Sequence, residues 1–389
     1  MDSARSPVHV LYSGAHLYRK GSVAKLGGLA KAAMAAWAEE DRAFAELMGL
    51  RDLALAGELA RRVREKLDHD PIEKTCIDFE DGYGLRPDAE EDAEAIRTAA
   101  ALAGETTPLV GIRIKALAPP TARRALRTLD LFLTTLRETA SLPEGFTVTL
   151  PKVARAAEVK ALVDVLAELE QSLGIEAPIG IELMVETPRA LLAHDGRIAL
   201  PGLVAAAGGR CTAVHLGAYD LTASLGVTAG EQRLDHPAAS AARLLMQLAM
   251  AGTGVDVVDG ATTVLPVGDV TAAWALHAAN VRRALALGIY QGWDLHPAQL
   301  PARYGAVYAF FLGERVAMTE RLRAFVGKAA QATRSGQIFD DAATGQGLLE
   351  FFVRGFACGA LTEDDVKATG LSLEQLRGRS FARIIGGGP

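Results

Sequence analysis

The chain has 389 residues, 50% of them hydrophobic, with 47 acidic against 41 basic residues and a net charge of −6. This composition supports a large core, and it excludes a nucleic-acid binder built on a basic footprint. No apolar run reaches membrane-spanning length, and Cys76, Cys211 and Cys358 fit neither a zinc-site spacing nor a paired disulfide framework. The opening MDSARSPVHV lacks the basic-then-apolar layout of a signal peptide, so the expected compartment is the cytoplasm.

In chain order, VHVLY at 8–12 reads as a first strand. A helical stretch over about 24–68 follows, with apolar spacings of three and four. It is far longer than a first strand-to-strand connection needs, and it is read as an insertion. Further strands are expected at 75–79, 110–114, 146–151, 179–185, 212–217, 254–258 and 288–295. Amphipathic helical patterns separate them. Past about residue 310 the strand signal stops. A long helix is expected there, then short helices opened by capping boxes at Thr362 and Ser372, before the GlyGlyGly tail. Length alone would allow two or three domains. The expected organisation is a β/α barrel over 1–312 and a helical extension over 313–389.

The strand ends carry polar residues at a nearly fixed interval. Glu80, Arg113, Lys152, Glu186, Asp220 and Asp256 are separated by 33, 39, 34, 34 and 36 residues, and Asp294 and His296 follow. One strand, one helix and two loops take about this much chain. The pattern therefore predicts a (β/α)8 TIM barrel with acids, cations and a histidine on the C-terminal rim, where such barrels place their chemistry.

Glu186 and Asp220, ending adjacent strands, are the expected metal ligands. Two carboxylates with room for water suit Mg²⁺ or Mn²⁺; the structural alternative is a pair of loop or helix-capping acids. Gly217 and Ala218, just before Asp220, are expected to meet substrate. Arg113, inside an apolar strand, needs a negative partner. It is read as a guanidinium for a substrate carboxylate or a developing enolate oxygen, against an ion pair with Glu80, Asp81 or Glu182. Glu80 and Asp81 are candidate catalytic acids, with structural ion pairing the alternative. Lys152 is an anion contact or, less favoured, a Schiff-base amine. His296 reads as a general base or orienting group, or equally as a satisfied structural histidine; His16 is another rim candidate, with the structural reading favoured, and a metal-bound water near Glu80 is a further candidate base. Arg123, Arg124 and Arg127 read as a solvated helix face. No GxGxxG or P-loop pattern is present.

These motifs resemble a known family. IDFEDGYGLRPDAEEDA, GIRIK, LPKV, VETPRALLA, HLGAYDLTASLGV and GWDLHPAQL are similar, in order from about residue 75 to 300, to segments of the citrate lyase β-subunit-like proteins of the HpcH/HpaI aldolase superfamily. The resemblance implies a phosphoenolpyruvate/pyruvate-type barrel working on carbon–carbon bonds, with Mg²⁺ on Glu186 and Asp220. It also implies functional roles for Arg113, Glu80 and Asp81, and a trimeric or hexameric assembly. The family's usual opening is replaced by VHVLYSGAHLYRKG and the connection to the second strand is much longer, which sets CoA use apart as an open point. The expected activity is a metal-dependent lyase or aldolase acting on a 2-oxo acid through an enolate. A thioester lyase or malate-synthase-like enzyme, a phosphoryl-transfer enzyme on a similar barrel and a non-catalytic scaffold or sensor are the alternatives.

Overall fold

The computed structural model describes residues 7–103, 105, 109–335 and 342–386. Eight parallel strands close into one barrel in sequence order: β1 (His9–Gly14), β2 (Lys74–Asp78), β3 (Leu109–Arg113), β4 (Thr147–Leu150), β5 (Gly180–Val185), β6 (Cys211–Leu216), β7 (Asp256–Asp259) and β8 (Gln291–Asp294). β8 pairs back onto β1, with Val10 opposite Trp293. The expected TIM barrel is therefore the fold. The strands are short and buried on both faces, as parallel strands covered by helices must be.

Side-chain alternation sorts these strands into an interior and an outer layer. Val10, Tyr12, Cys76, Met184, Ala213, Val258 and Trp293 fill the barrel interior. Below them lies a polar group centred on Glu182, which bonds Lys74 Nζ, accepts from Thr149 Oγ1 at 3.0 Å and faces His215 Nε2 at 3.4 Å. Isolated there, a carboxylate would be costly. Burial opposes its ionisation, but Lys74 and His215 outweigh that and hold it well below the usual carboxylate range.

The stretch between β1 and β2 forms three helices, α1 (Ser22–Trp37), α2 (Asp41–Met48) and α3 (Ala56–His69). The regular crossover helices include α4 (Asp88–Leu102), α5 (Ala122–Thr139) and α6 (Ala156–Leu173). Arg124 and Arg127 bridge from α5 to Asp92 on α4, so the arginine trio is an inter-helix ion-pair face. The C-terminal extension is the helix Leu300–Ser335, the helix Ala342–Ala357 and shorter helices capped by Thr362 with Asp365 and Ser372 with Gln375. The last residues of the tail, 387–389, lie outside the described residues.

The extension shares one apolar core with α1–α3, in which Phe44, Met48, Leu59, Tyr304, Phe311 and Phe352 are buried together. Each such side chain contributes about 1.5–3 kcal/mol when fully buried. A charged clamp joins the same parts: Arg62 and Arg315 both reach Glu58 and Asp365, and Arg62 also donates to the Ala360 carbonyl at 2.7 Å. No helix among the described residues is long and apolar enough to cross a membrane.

Candidate active site

The C-terminal strand ends converge on one mouth. At β2 and β3, Asp78 and Arg113 stand opposite each other in register. The guanidinium grips Asp78 through two bonds, Nε to Oδ1 at 2.7 Å and Nη2 to Oδ2 at 2.5 Å. The same carboxylate accepts the backbone N–H groups of Glu80 at 2.9 Å and Gly82 at 2.7 Å. Asp78 thus fixes the turn after β2 and the arginine together. The remaining Arg113 nitrogen, Nη1, faces Glu80 at 3.5 Å and Asp81 at 3.9 Å, while the guanidinium lies over Tyr12 and Trp293. Burial opposes its charge, but Asp78 more than compensates and raises its pKa further.

At β4–β6 a second group forms. Glu186, one residue past β5, is 2% exposed and accepts the backbone N–H of Lys152 at 2.5 Å. Burial drives its carboxyl up to about 8; Lys152 and Arg113 pull it down, and Asp220 adds to the rise. Asp220 sits in the first turn of the short helix Ala218–Ser224 with its side chain 44% exposed. Gly217 lies between the two acids. A Cβ there would come within 2.4 Å of Glu186 Cβ, so only glycine lets β6 pass this close.

Lys152 links the two groups. Its Nζ bonds Glu80 Oε1 at 2.5 Å, approaches Asp81 at 3.2 Å and stands 3.9 Å from Asp220. Burial disfavours the ammonium, but the Glu80 bond, Glu186 and Asp81 raise its pKa above the usual lysine value. A lysine held protonated this firmly is a poor Schiff-base amine, and the geometry leaves it as a cation among acids. Glu80 is pushed up by burial, whereas Asp81 ends below its usual value because its bond to Glu80 and the Lys152 and Arg113 charges overcome burial.

A cavity of about 520 Å³ opens at this cluster, lined by Asp78, Asp81, Arg113 and Asp220 and also by Leu17, Leu26, Leu29 and Leu295. His296 lines it too. Its Nδ1 accepts the Ala298 N–H at 3.1 Å, capping the turn Pro297–Gln299. The neutral ring therefore carries its proton on Nε2 and presents a donor. Burial lowers its pKa, which further favours that neutral form. This argues against His296 as a base. His16, at the end of β1, lies 5.9 Å from the Tyr83 ring, and its Nδ1 has no hydrogen-bond partner among the described residues.

Two expected rim acids lie elsewhere. Asp256 opens β7 instead of ending it, because Gly254 takes a left-handed turn (φ 74–79 at Gly252 and Gly254) and pairing with β6 starts only at Ala213–Asp256. Asp256 lines a cavity of about 660 Å³ at the opposite end of the barrel, with Arg354 and Arg379. Asp294 does end β8, but it is fully buried and bonded to Arg303 at 2.9 and 3.1 Å, with His277 at 3.1 Å and His9 at 3.5 Å. Lys115 turns to Glu91 at 2.8 Å and the Phe79 carbonyl. Asp78, Tyr12 and Trp293 were not among the residues that the sequence marks as site candidates.

The donor set fits a hard divalent cation. Glu186 is a buried carboxylate whose oxygen meets one backbone N–H, Asp220 is open beside it, and the acids already draw in the Lys152 ammonium. Among the described residues no group of three or more His, Cys, Asp or Glu side chains is arranged to hold a metal. Such an ion would thus rest on two protein carboxylates and leave its other positions to water or substrate.

Comparison with the curated proteins gives no match. Among solved structures, a citrate lyase from Burkholderia xenovorans LB400 aligns with a TM-score of 0.60 at 19% identity, over 94% of this chain and 97% of that one. A Haloferax volcanii malate synthase, as its lead(II) complex, aligns with a TM-score of 0.52 at 14% identity, over 99% and 98% of the two chains. The magnesium/glyoxylate complex of the Haloferax volcanii malate synthase gives 0.50 at 15% identity, over 99% and 98%. At such identities the likeness is one of fold, a TIM barrel with helical additions. The model of DUF6986, a domain of unknown function, matches residues 1–384, and the chain belongs to that family.

Proposed function

We propose that the protein is a metal-dependent carbon–carbon lyase or aldolase acting on a 2-oxo acid, or a related carbonyl acid, through an enolate. The observation that carries this reading is the convergence of Glu186, Asp220 and Arg113 on one mouth, with Arg113 presenting a single nitrogen towards it. Mg²⁺ or Mn²⁺ on Glu186 and Asp220 would supply Lewis-acid polarisation of the substrate's carbonyl and carboxylate oxygens. The names of the fold neighbours, and the magnesium and glyoxylate of the Haloferax complex, support the same reading.

The residues divide the work as follows. Arg113, locked by Asp78, offers charge where negative charge grows on the carbonyl oxygen as the bond breaks, which favours the transition state over the ground state. Its orientation costs nothing at that moment because Asp78 has already set it. Glu80, raised by burial, takes the proton from the partner hydroxyl, with His16 as the second candidate. His296 donates from Nε2 to a substrate oxygen. Lys152, with Gly217 and Ala218 alongside, helps hold the substrate carboxylate. We further place the protein in the cytoplasm as a homo-oligomer, a trimer or hexamer, which sedimentation would test.

Titration calorimetry of the metal-stripped protein with Mg²⁺ or Mn²⁺, alone and with oxalate as a planar enolate mimic, tests the proposal. Metal binding that oxalate tightens is the expected result. If neither binds, Glu186 and Asp220 are structural and the lyase reading is abandoned. A thioester enzyme is the second reading, favoured by the malate synthase likeness that extends over the C-terminal helices. CoA raising the unfolding temperature would select it.

A further inference from the structure

We infer that the mouth has a dedicated apolar subsite, built by the insertion, and that the preferred substrate is an oxo acid with an extended apolar substituent. This rests on the lyase reading above and narrows its substrate class. Single exposed leucines are ordinary on any surface. Here Leu17 is 64% exposed, Leu29 is 45% exposed and Leu295 is 36% exposed, and with Leu26 they line the same cavity. Apolar side chains gathered in one concave place mark a binding surface rather than chance exposure.

The wall comes from particular elements. Leu17 follows β1, and Leu26 and Leu29 are on α1, whose other apolar residues Ala30, Ala33 and Met34 are buried in the shared core. Leu26 packs partly against that core while it lines the cavity, and Leu29 stays exposed, so α1 carries apolar surface from the core to the cavity wall. Leu295 follows β8, the strand paired with β1, and stands beside His296. The polar end of the cavity, at Arg113 and Asp220, is continuous with this wall. A three- or four-carbon acid would occupy only that polar end of about 520 Å³, a volume in the range that takes much larger ligands. Carboxylate and carbonyl at the charged end, and a hydrocarbon chain along the leucines, match the cavity's two ends.

Calorimetric titration of the full chain, with Mg²⁺ present, against pyruvate, 2-oxobutyrate, 2-oxohexanoate and 2-oxooctanoate tests this. The expected result is about fourfold tighter binding per added methylene until the wall is covered. In Leu29→Asp, which lies on an exposed helix face, that gain should disappear while pyruvate affinity stays unchanged; a thermal unfolding curve confirms that the variant folds. If pyruvate binds and chain length adds nothing, the apolar subsite is refuted and the lyase reading survives. If the gain persists in both Leu29→Asp and Leu17→Asp, the subsite is also refuted. If sedimentation shows that these variants lose self-association instead, the wall is a contact between copies and the inference fails. If none of the acids binds, the inference and the lyase reading fall together.

Discussion

The backbone N–H of Lys152 holds the Glu186 carboxylate at 2.5 Å, and Lys152 adopts a left-handed φ of 52 in doing so. That conformation costs a side-chain-bearing residue about 1–2 kcal/mol. The same twist carries its ammonium over Glu80, Asp81 and Asp220. Two unit charges 4 Å apart interact by about 4 kcal/mol near a protein surface, less where solvent screens them. Lys152→Met keeps the backbone bond and removes the competing cation. Mg²⁺ should then bind the metal-stripped protein at least about tenfold more tightly by calorimetry. Unchanged affinity would show that the ammonium does not compete with the metal.

Glu186 makes stability depend on pH in a defined direction. Its native pKa of about 8 lies above the ordinary 4.5, so the folded protein keeps a proton that the unfolded chain gives up. The stabilisation is complete below about pH 4.5 and is lost as pH rises towards 8. In the metal-stripped protein, Glu186→Gln should therefore match the wild type near pH 4.5 and exceed it near pH 8, by roughly a few kcal/mol. Thermal unfolding across this range measures the difference. Parallel curves for the two proteins would mean that Glu186 is ionised in the folded state.

All eight strands were legible as apolar runs bounded by turn residues, and the helices between them as runs of period 3.6. Glu80, Arg113, Lys152, Glu186 and Asp220 were legible as a cluster because adjacent strand ends of a closed barrel must meet. What sequence could not show was which way an acid turns. Asp294 looks like a rim acid in GWDLHP, yet Arg303 and His277, on the helices that follow and precede its strand, take it into the core. Asp256 was misplaced because GVDVVDG does not mark where strand pairing starts. Sequence offered Glu80, Asp81 and Glu182 as partners of Arg113, but its doubly bonded partner is Asp78, which stands opposite it in register.

That pair should dominate the local energetics. Removing one member of a buried, doubly bonded ion pair costs about 3–5 kcal/mol, because the other charge stays buried alone. Asp78→Ala should cost this much in denaturant unfolding and also release the turn through Glu80 and Gly82, whose N–H groups it accepts. Replacing both members, as Asp78→Leu with Arg113→Met, should cost less than the Asp78 single variant while abolishing turnover. Additive losses in this double-mutant cycle would contradict the coupling.

Gly217 offers a purely steric test. Its φ of −96 is open to any residue, so alanine meets no backbone strain there. The added methyl would instead collide with Glu186 Cβ at 2.4 Å and Oε2 at 2.6 Å. Overpacking of this kind costs about 1–3 kcal/mol. Gly217→Ala should lower the unfolding temperature by several degrees and weaken Mg²⁺ binding at least about tenfold. Wild-type metal affinity in a folded Gly217→Ala protein would separate Glu186 from the metal.

His296 can be divided into a cap and a proton donor. Its Nδ1 serves the Ala298 N–H, a role that asparagine fills well and alanine cannot. His296→Asn should therefore stay within about 0.5 kcal/mol of wild-type stability, whereas His296→Ala should lose about 1 kcal/mol. Both remove the Nε2 donor, so both should lower turnover, by roughly 10²-fold if that donor meets the substrate. Because the ring already acts in its neutral form, the alkaline side of the pH–rate profile should keep its shape in His296→Asn. A rate limb near neutral pH that vanished in this variant would identify His296 as a base and overturn its assignment as donor.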